Sequence, residues 1–348
     1  MSGRADICGL LGIELPLIQA PMAGVQGSAL AVAVSQAGGL GSLPCAMLSH
    51  ETLRAELTAI RSRTAKPFNV NFFCHRESVP DPARERAWRA RLAPYAKELG
   101  LAPDDAVAAP SRRPFSTESA VVLAEFAPPV VSFHFGLPAP ELLAQVRHWG
   151  ARVLGCATTV AEARWLEAHG ADAIIAQGVE AGGHRGCFLT TDMNEQLGTM
   201  ALLPQVIDAV SVPVVAAGGI ADARGVQAAL ALGAGAVQLG TAFLLCAEAT
   251  TSAVHRAALK SEAALHTALT NLFSGRPARG IVNRLMHECG PMAEDLPEFP
   301  LASTALAPLR ARAESLGRGD FSPLWAGQNV SGCRELGAAE LLRSLLPG

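Results

Sequence analysis

The sequence predicts an α/β protein built on a single (β/α)8 TIM barrel, with a small, mainly helical appendage after the eighth strand. Three observations lead there. Short runs at 15–22, 39–46, 67–73, 130–138, 151–159, 171–182, 212–220 and 236–244 are almost continuously apolar. Strands buried on both faces of a parallel sheet read this way, whereas a strand with one wet face alternates. Helical patterns separate the runs for most of the chain, and strand–helix alternation implies parallel βα units. Finally, His-Gly-Ala-Asp-Ala-Ile-Ile at 169–175 echoes Leu-Gly-Ala-Gly-Ala-Val-Gln at 232–238, each closing a helix and opening a strand. Such self-similarity marks a repeated unit. Eight units favour a closed barrel, with an open doubly wound sheet as the alternative.

In chain order, the first run ends in Gln19, Ala20, Pro21 and Met22, and the third carries Asn69 and Asn71 on one strand face. Residues 77–111, rich in arginine, alanine and proline, are too long for a simple loop and read as a helical excursion with a solvated charged face. The clearest helices are 139–150 and 159–170. Thr159 and Glu162 form a capping-box pattern at the start of the second, and each helix closes on a glycine. Asp222 is placed to cap a helix over 223–232. Beyond the eighth run, 247–287 reads largely helical, 290–300 reads as loop, and the tail returns through 320–327. The expected division is a barrel over 1–246, a mainly helical lid over 247–319 and a returning tail over 320–348.

The chain has 348 residues, half of them apolar, against roughly 250 for a typical barrel of this kind. A net charge of −3 without a basic stripe argues against nucleic acid and anionic membrane as partners. No apolar run approaches the ~20 residues of a membrane span. Residues 1–10 lack the pattern of a secretory signal. The eight cysteines, Cys8, Cys45, Cys74, Cys156, Cys187, Cys246, Cys289 and Cys333, are scattered without a Cys-X-X-Cys pair. They read as free thiols in a reducing compartment, so a cytoplasmic location is expected. Without paired cysteines or a His-Glu-X-X-His motif, no metal site is expected. Dinucleotide, P-loop and Gly-X-Ser-X-Gly nucleophile motifs are also absent.

A barrel places its chemistry at the C-terminal ends of its strands. The seventh and eighth runs carry Ala217, Gly218, Gly219 and Ile220, and Gln238, Leu239, Gly240 and Thr241. Glycines there let backbone N–H groups approach an anion, and barrels bind phosphate after these two strands. Asn69 and Asn71 offer amide groups inside the barrel, as the edge of a flat heteroaromatic ligand requires; backbone partners would also satisfy them. The sixth run ends in Gln-Gly-Val-Glu-Ala-Gly-Gly-His-Arg-Gly at 177–186. A histidine in a glycine-rich loop at the catalytic end is poorly explained by core packing. His184 is therefore the candidate catalytic group, as a base or, protonated, as an anion holder. Glu180 could orient this loop, while Arg185 is read as meeting solvent. His134 and Met22 are weaker pocket candidates, and His75 weaker still. His50, His148, His169, His255, His266 and His287 are given no role.

These segments together resemble the nitronate monooxygenases, formerly grouped as 2-nitropropane dioxygenases. The resemblance runs from Gln-Ala-Pro-Met at 19–22, through Phe-Asn-Val-Asn-Phe at 68–72, Ser-Phe-His-Phe-Gly at 132–136 and the 177–186 loop. It continues through Ala-Gly-Gly-Ile at 217–220, Gln-Leu-Gly-Thr at 238–241, Ser-Gly-Arg-Pro-Ala-Arg-Gly at 274–280 and the tail at 325–328. It implies a non-covalent FMN contacted by Asn71, Gln177, Gly182, Gly219, Gln238, Leu239, Gly240 and Thr241, with His184 catalytic. It also implies oxidation of alkyl nitronates such as propionate 3-nitronate by O2, a detoxifying reaction. The Gly-Gly-His loop is shared with flavin-type enoyl-ACP reductases, so an NAD(P)H-using reductase is the first alternative. An inosine-monophosphate-dehydrogenase-like barrel using Cys187 and a non-catalytic flavin binder are the others. A homodimer is left open.

Overall fold

The computed structural model describes residues 6–102 and 112–346. The expectations for residues 1–5, for the end of the excursion at 103–111 and for 347–348 lie outside the described residues. Eleven strands are described: β1 (Leu17–Gln19), β2 (Gly41–Pro44), β3 (Phe68–Phe73), β4 (Val130–His134), β5 (Arg152–Ala157), β6 (Ala173–Gln177), β7 (Gly183–His184), β8 (Val214–Ala217), β9 (Ala236–Leu239), β10 (Thr267–Thr270) and β11 (Ala278–Ile281). Eight of them form one all-parallel sheet in the order β1-β9-β8-β6-β5-β4-β3-β2. Ile18 of β1 bridges Leu40 beside β2, with Gln19 N donating to Leu40 O and Leu40 N to Leu17 O, both at 2.9 Å. That contact closes the barrel. Each of the eight apolar runs contains one of these strands.

Strand alternation divides the apolar residues between two environments. Ile18, Leu40, Val130, Leu154, Ile175 and Val215 fill the barrel, and Ile7 and Leu11 of helix Ile7–Leu11 plug its N-terminal end. Leu17, Ile174, Ala176, Val214, Ala216 and Val237 instead meet the surrounding helices. Glu162 departs from the capping-box pattern in an informative way. Thr159 Oγ1 accepts from Glu162 N at 3.2 Å, as expected. The fully buried Glu162 carboxylate, however, accepts from Thr158 N and Oγ1 at 2.7 and 2.8 Å, and from Phe188 N and Leu189 N at 2.6 and 3.2 Å. It thus ties a helix start to the loop that follows His184. Four donors satisfy a charge that burial alone would disfavour.

The region after β9 is not helical throughout. β10, β11 and β7 form a small antiparallel sheet, with Ala278 opposite His184 and Arg279 opposite Gly183. The excursion also has a buried side. Helix Pro82–Glu98 turns Trp88, Leu92 and Tyr95 against Leu306, Leu309 and Ala313 of helix Ala302–Ser315. Trp88 Nε1 donates to Ala302 O at 3.1 Å. The appendage is therefore built from two distant pieces of sequence.

Candidate active site

The strand ends converge on one pocket. Its wall takes Ala20 and Met22 after β1, Ala46 after β2, Asn71 and Phe73 from β3, His134 from β4, and Cys156 from β5. Gln177 closes β6, Gly218 and Gly219 follow β8, and Gln238, Leu239, Gly240 and Thr241 close β9. Gly182 and His184 complete it from the loop after β6, so every site residue expected from sequence borders the same space.

The polar floor is a chain of amides and hydroxyls inside the barrel. Asn69 Nδ2 donates to Ser42 Oγ at 3.0 Å and Ser132 Oγ at 2.9 Å. Asn71 Nδ2 donates to Ser132 Oγ at 2.9 Å and to its carbonyl at 3.2 Å. That spends the Asn71 nitrogen and leaves its oxygen as the polar atom available to a ligand. Gln177 lies in the wall, but both ends of its amide are engaged. Nε2 donates to His184 O at 3.1 Å, and Oε1 accepts from Gly186 N at 2.8 Å. Its side chain shapes the loop. By contrast, Gln238 Oε1 is buried with no partner. An orphaned buried acceptor in a pocket-lining residue is unfavourable unless a donor reaches it.

Gly218 and Gly219 have φ of 118° and 70°, left-handed values that side chains resist. They turn the chain sharply at the end of β8. The tail covers this corner. Gly327 N donates to Thr241 Oγ1 at 2.9 Å, Gln328 N to Glu180 O at 3.0 Å, and Asn329 Nδ2 to Gly219 O at 3.2 Å. Glu180 does orient its surroundings, since its carboxylate accepts from Thr199 N at 2.9 Å. The reading of Arg185 is corrected: it is fully buried, not solvent-facing. Its guanidinium donates to Gly178 O at 2.8 Å, Gln177 O at 2.7 Å and Gln196 Oε1 at 3.0 Å. Converging carbonyls, invisible along the sequence, take the place of solvent.

His184 sits at the centre of an aromatic enclosure. Ring centroids of Phe299, Trp325, Phe135 and Phe73 lie 5.2, 5.5, 6.1 and 6.3 Å from its own. Its carbonyl is held by Gln177 and by His134 Nε2 at 3.2 Å. Its Nε2 lies 2.9 Å from Ser274 Oγ, which also lies 3.3 Å from Arg276 O. With its proton on Arg276 O, Ser274 Oγ accepts from His184 Nε2–H and Nδ1 keeps the lone pair; with its proton turned to His184, the hydroxyl donates to Nε2 instead. Burial, then Arg112, His134 and Arg276, hold the His184 imidazole well below its ordinary pKa. It is neutral at neutral pH.

Phe135 adds strain to this wall. A φ of 70° is unusual for a bulky residue, and such conformations persist where packing over-determines them. Here the Arg276 guanidinium lies 3.9 Å from the Phe135 ring centroid, and Phe73 and Phe299 pack against it at 5.0 and 5.5 Å. Cys187 is buried, and its thiol is pushed up, chiefly by that burial. That is the opposite of an activated nucleophile.

Sequence reasoning missed five contributors: Arg112, His255, Ser274, Phe299 and Trp325. Ser274 and Trp325 lay inside segments already singled out, so proximity to a motif was a usable signal. His255 sat in a helical pattern, and Arg112 just past the excursion, where nothing local marks a pocket residue.

A family model described as nitronate monooxygenase matches residues 4–348. A nitronate monooxygenase from Pseudomonas aeruginosa is 48% identical over 346 residues, covering 97% of each chain. One from Paraburkholderia phytofirmans is 43% identical, covering 99% of this chain and 94% of its own. Among solved structures, a nitroalkane oxidase from Streptomyces ansochromogenes superposes with a TM-score of 0.88 at 40% identity, covering 98% of this chain and 96% of that one. FabK from Thermotoga maritima superposes at 0.71 and 29% identity, covering 99% and 95%.

Proposed function

This chain belongs to the nitronate monooxygenase family, and we propose that it oxidises alkyl nitronates with O2 at an FMN held in the barrel pocket. The observation that carries the reading is His184, a neutral imidazole enclosed by aromatic rings, with Nε2 held by Ser274 Oγ at 2.9 Å. The pocket suits a flavin. Gln238 Oε1 lacks the donor that a ring or ribityl group would supply, and Asn71, with its nitrogen already engaged, lines the same pocket. The turns at Gly218–Gly219 and Gly240–Thr241 expose backbone where a barrel binds phosphate. Gly182 and Leu239 line the same space. FMN bound there supplies an electron acceptor for the nitronate and an electron donor for O2.

The chain's own residues then have defined work. His184 takes the α-proton of a neutral nitroalkane at Nδ1, while Nε2–H stays on Ser274. Phe73, Phe135, Phe299 and Trp325 keep water from the reacting carbon. A protonated, anion-holding His184 is disfavoured first by burial and then by the positive charge of Arg112 and Arg276. Physiologically this activity would remove toxic nitronates in the cytoplasm.

Purified protein should show a flavin spectrum and consume O2 with propionate 3-nitronate. Protein that cannot be reconstituted with FMN would overturn the reading. Anaerobic bleaching by NADH alone would favour the reductase alternative. His184→Asn separates the two roles of the histidine. As a base, its loss slows neutral nitroalkanes by about 100-fold or more and preformed nitronates far less. The wild-type rate with neutral nitroalkane should also hold down to pH values well below 6.5. A rate that rises on acidification through 6.5, or equal losses on both substrates, removes the base role.

A further inference from the structure

The pocket contains a half-buried guanidinium with a single side-chain partner among the described residues. Arg112 lies on the segment between β3 and helix Thr117–Phe126 and lines the same pocket as His184. Its Nη1 donates to Ser303 Oγ of helix Ala302–Ser315 at 3.3 Å. Among the described residues, no carboxylate lies within ion-pair distance of it. Arg310, the charge acting on it, is of like sign. Burial, then Arg310, brings the guanidinium down to about 10, so it remains protonated at neutral pH.

Other arginines of this chain that are partly or fully withdrawn from solvent show what a structural role looks like. Arg185 fills three of its donors with protein oxygens. Arg279 donates to Val179 O and to both oxygens of Thr267. Arg276 donates to Cys187 O and covers the face of Phe135. Among the described residues, Arg112 has one long hydroxyl contact for five N–H donors. A desolvated, unpaired cation is unfavourable, and a bound anion relieves it.

We propose that Arg112, braced by Ser303, is the specificity-determining residue of the site and binds a carboxylate carried on the chain of the nitronate. The inference rests on the nitronate reading above and adds a residue that selects among nitronates. The two ends of the substrate then have separate places. The reacting end lies near His184, and the tail reaches the mouth of the pocket, where the appendage supplies Ser303.

The test compares kcat/KM for propionate 3-nitronate and butyl 1-nitronate, which has an uncharged tail. The wild type should prefer the carboxylate, and Arg112→Met should shrink that preference by roughly 10- to 100-fold, mainly through KM. Arg112→Lys should retain part of it. A wild type with no preference, or an unchanged ratio in Arg112→Met, overturns the proposal. Succinate and butyrate provide a readout independent of turnover and of variant folding. Succinate should perturb the visible spectrum of the wild-type holoenzyme at least tenfold below the concentration butyrate requires. Equal concentrations would also overturn it. If neither nitronate is consumed, the nitronate reading fails, and the succinate titration decides Arg112 alone.

Discussion

Histidines buried around the pocket make the protein sensitive to mild acid. His134 is pushed down to about 3, and His75 and His255 to about 4, in each case chiefly by burial. Arg276 adds to the effect at His134 and His75, and Arg310 at His255. In the unfolded chain each binds a proton near 6.5. The unfolded state therefore holds more protons than the folded one between 6.5 and about 4. Stability is complete above this window and falls as the pH drops through it. Melting temperatures should decline between about pH 6.5 and 5, before most carboxylates titrate. His134→Gln should flatten part of that slope. A melting temperature constant from about pH 7.5 to 5 would show that these imidazoles are protonated in the fold.

At the scale of elements, close approach between helix and strand is what a missing side chain permits. A Cβ on Gly41 of β2 would lie 1.9 Å from Ala31 O in helix Ser28–Gln36. Backbone cannot yield there as a flexible side chain would. Gly41→Ala should push the helix off the barrel beside its closing seam and destabilise the protein by about 3 kcal/mol. Urea unfolding measures this, and a loss within about 0.5 kcal/mol would refute the packing argument. The loop after β6 illustrates the opposite device, filled by polar contacts. Arg185, Gln177 and Glu162 each bind backbone groups, and together they hold His184 in place.

The whole molecule couples the barrel to a cap made from separated pieces. Trp88 is buried between helix Pro82–Glu98 and helix Ala302–Ser315, some two hundred residues further along. Phe299, just before the second helix, packs on His184 and on His75. Ser303, within it, meets Arg112. Loss of the Trp88 side chain should therefore be felt at the site. Trp88→Ala should cost about 3–5 kcal/mol of packing. Hydrogen exchange should accelerate in both helices while the eight barrel strands stay protected. Uniform acceleration throughout would mean that cap and barrel unfold as one unit.

The barrel, the glycine turns at its mouth and the place of His184 in the pocket were all legible in the sequence. Strands enclosed by helices need continuous apolar residues, and that requirement is local. Glycines at 218, 219 and 240 mark turns for the same local reason. The charge of Arg185 was misread, because its partners are carbonyls brought together by the fold. Arg112, Ser274 and Phe299 could not be assigned to His184 from sequence. Each reaches it across a separation that only chain folding removes, and a charged or polar residue looks the same in isolation whether it faces water or a pocket. Sequence determined which strands form the barrel and which loop carries the imidazole. The tertiary structure decided which rings enclose the imidazole, what holds its Nε2 and which guanidinium lines the pocket with it. Those properties depend on burial and partner geometry, and neither exists before the chain is folded.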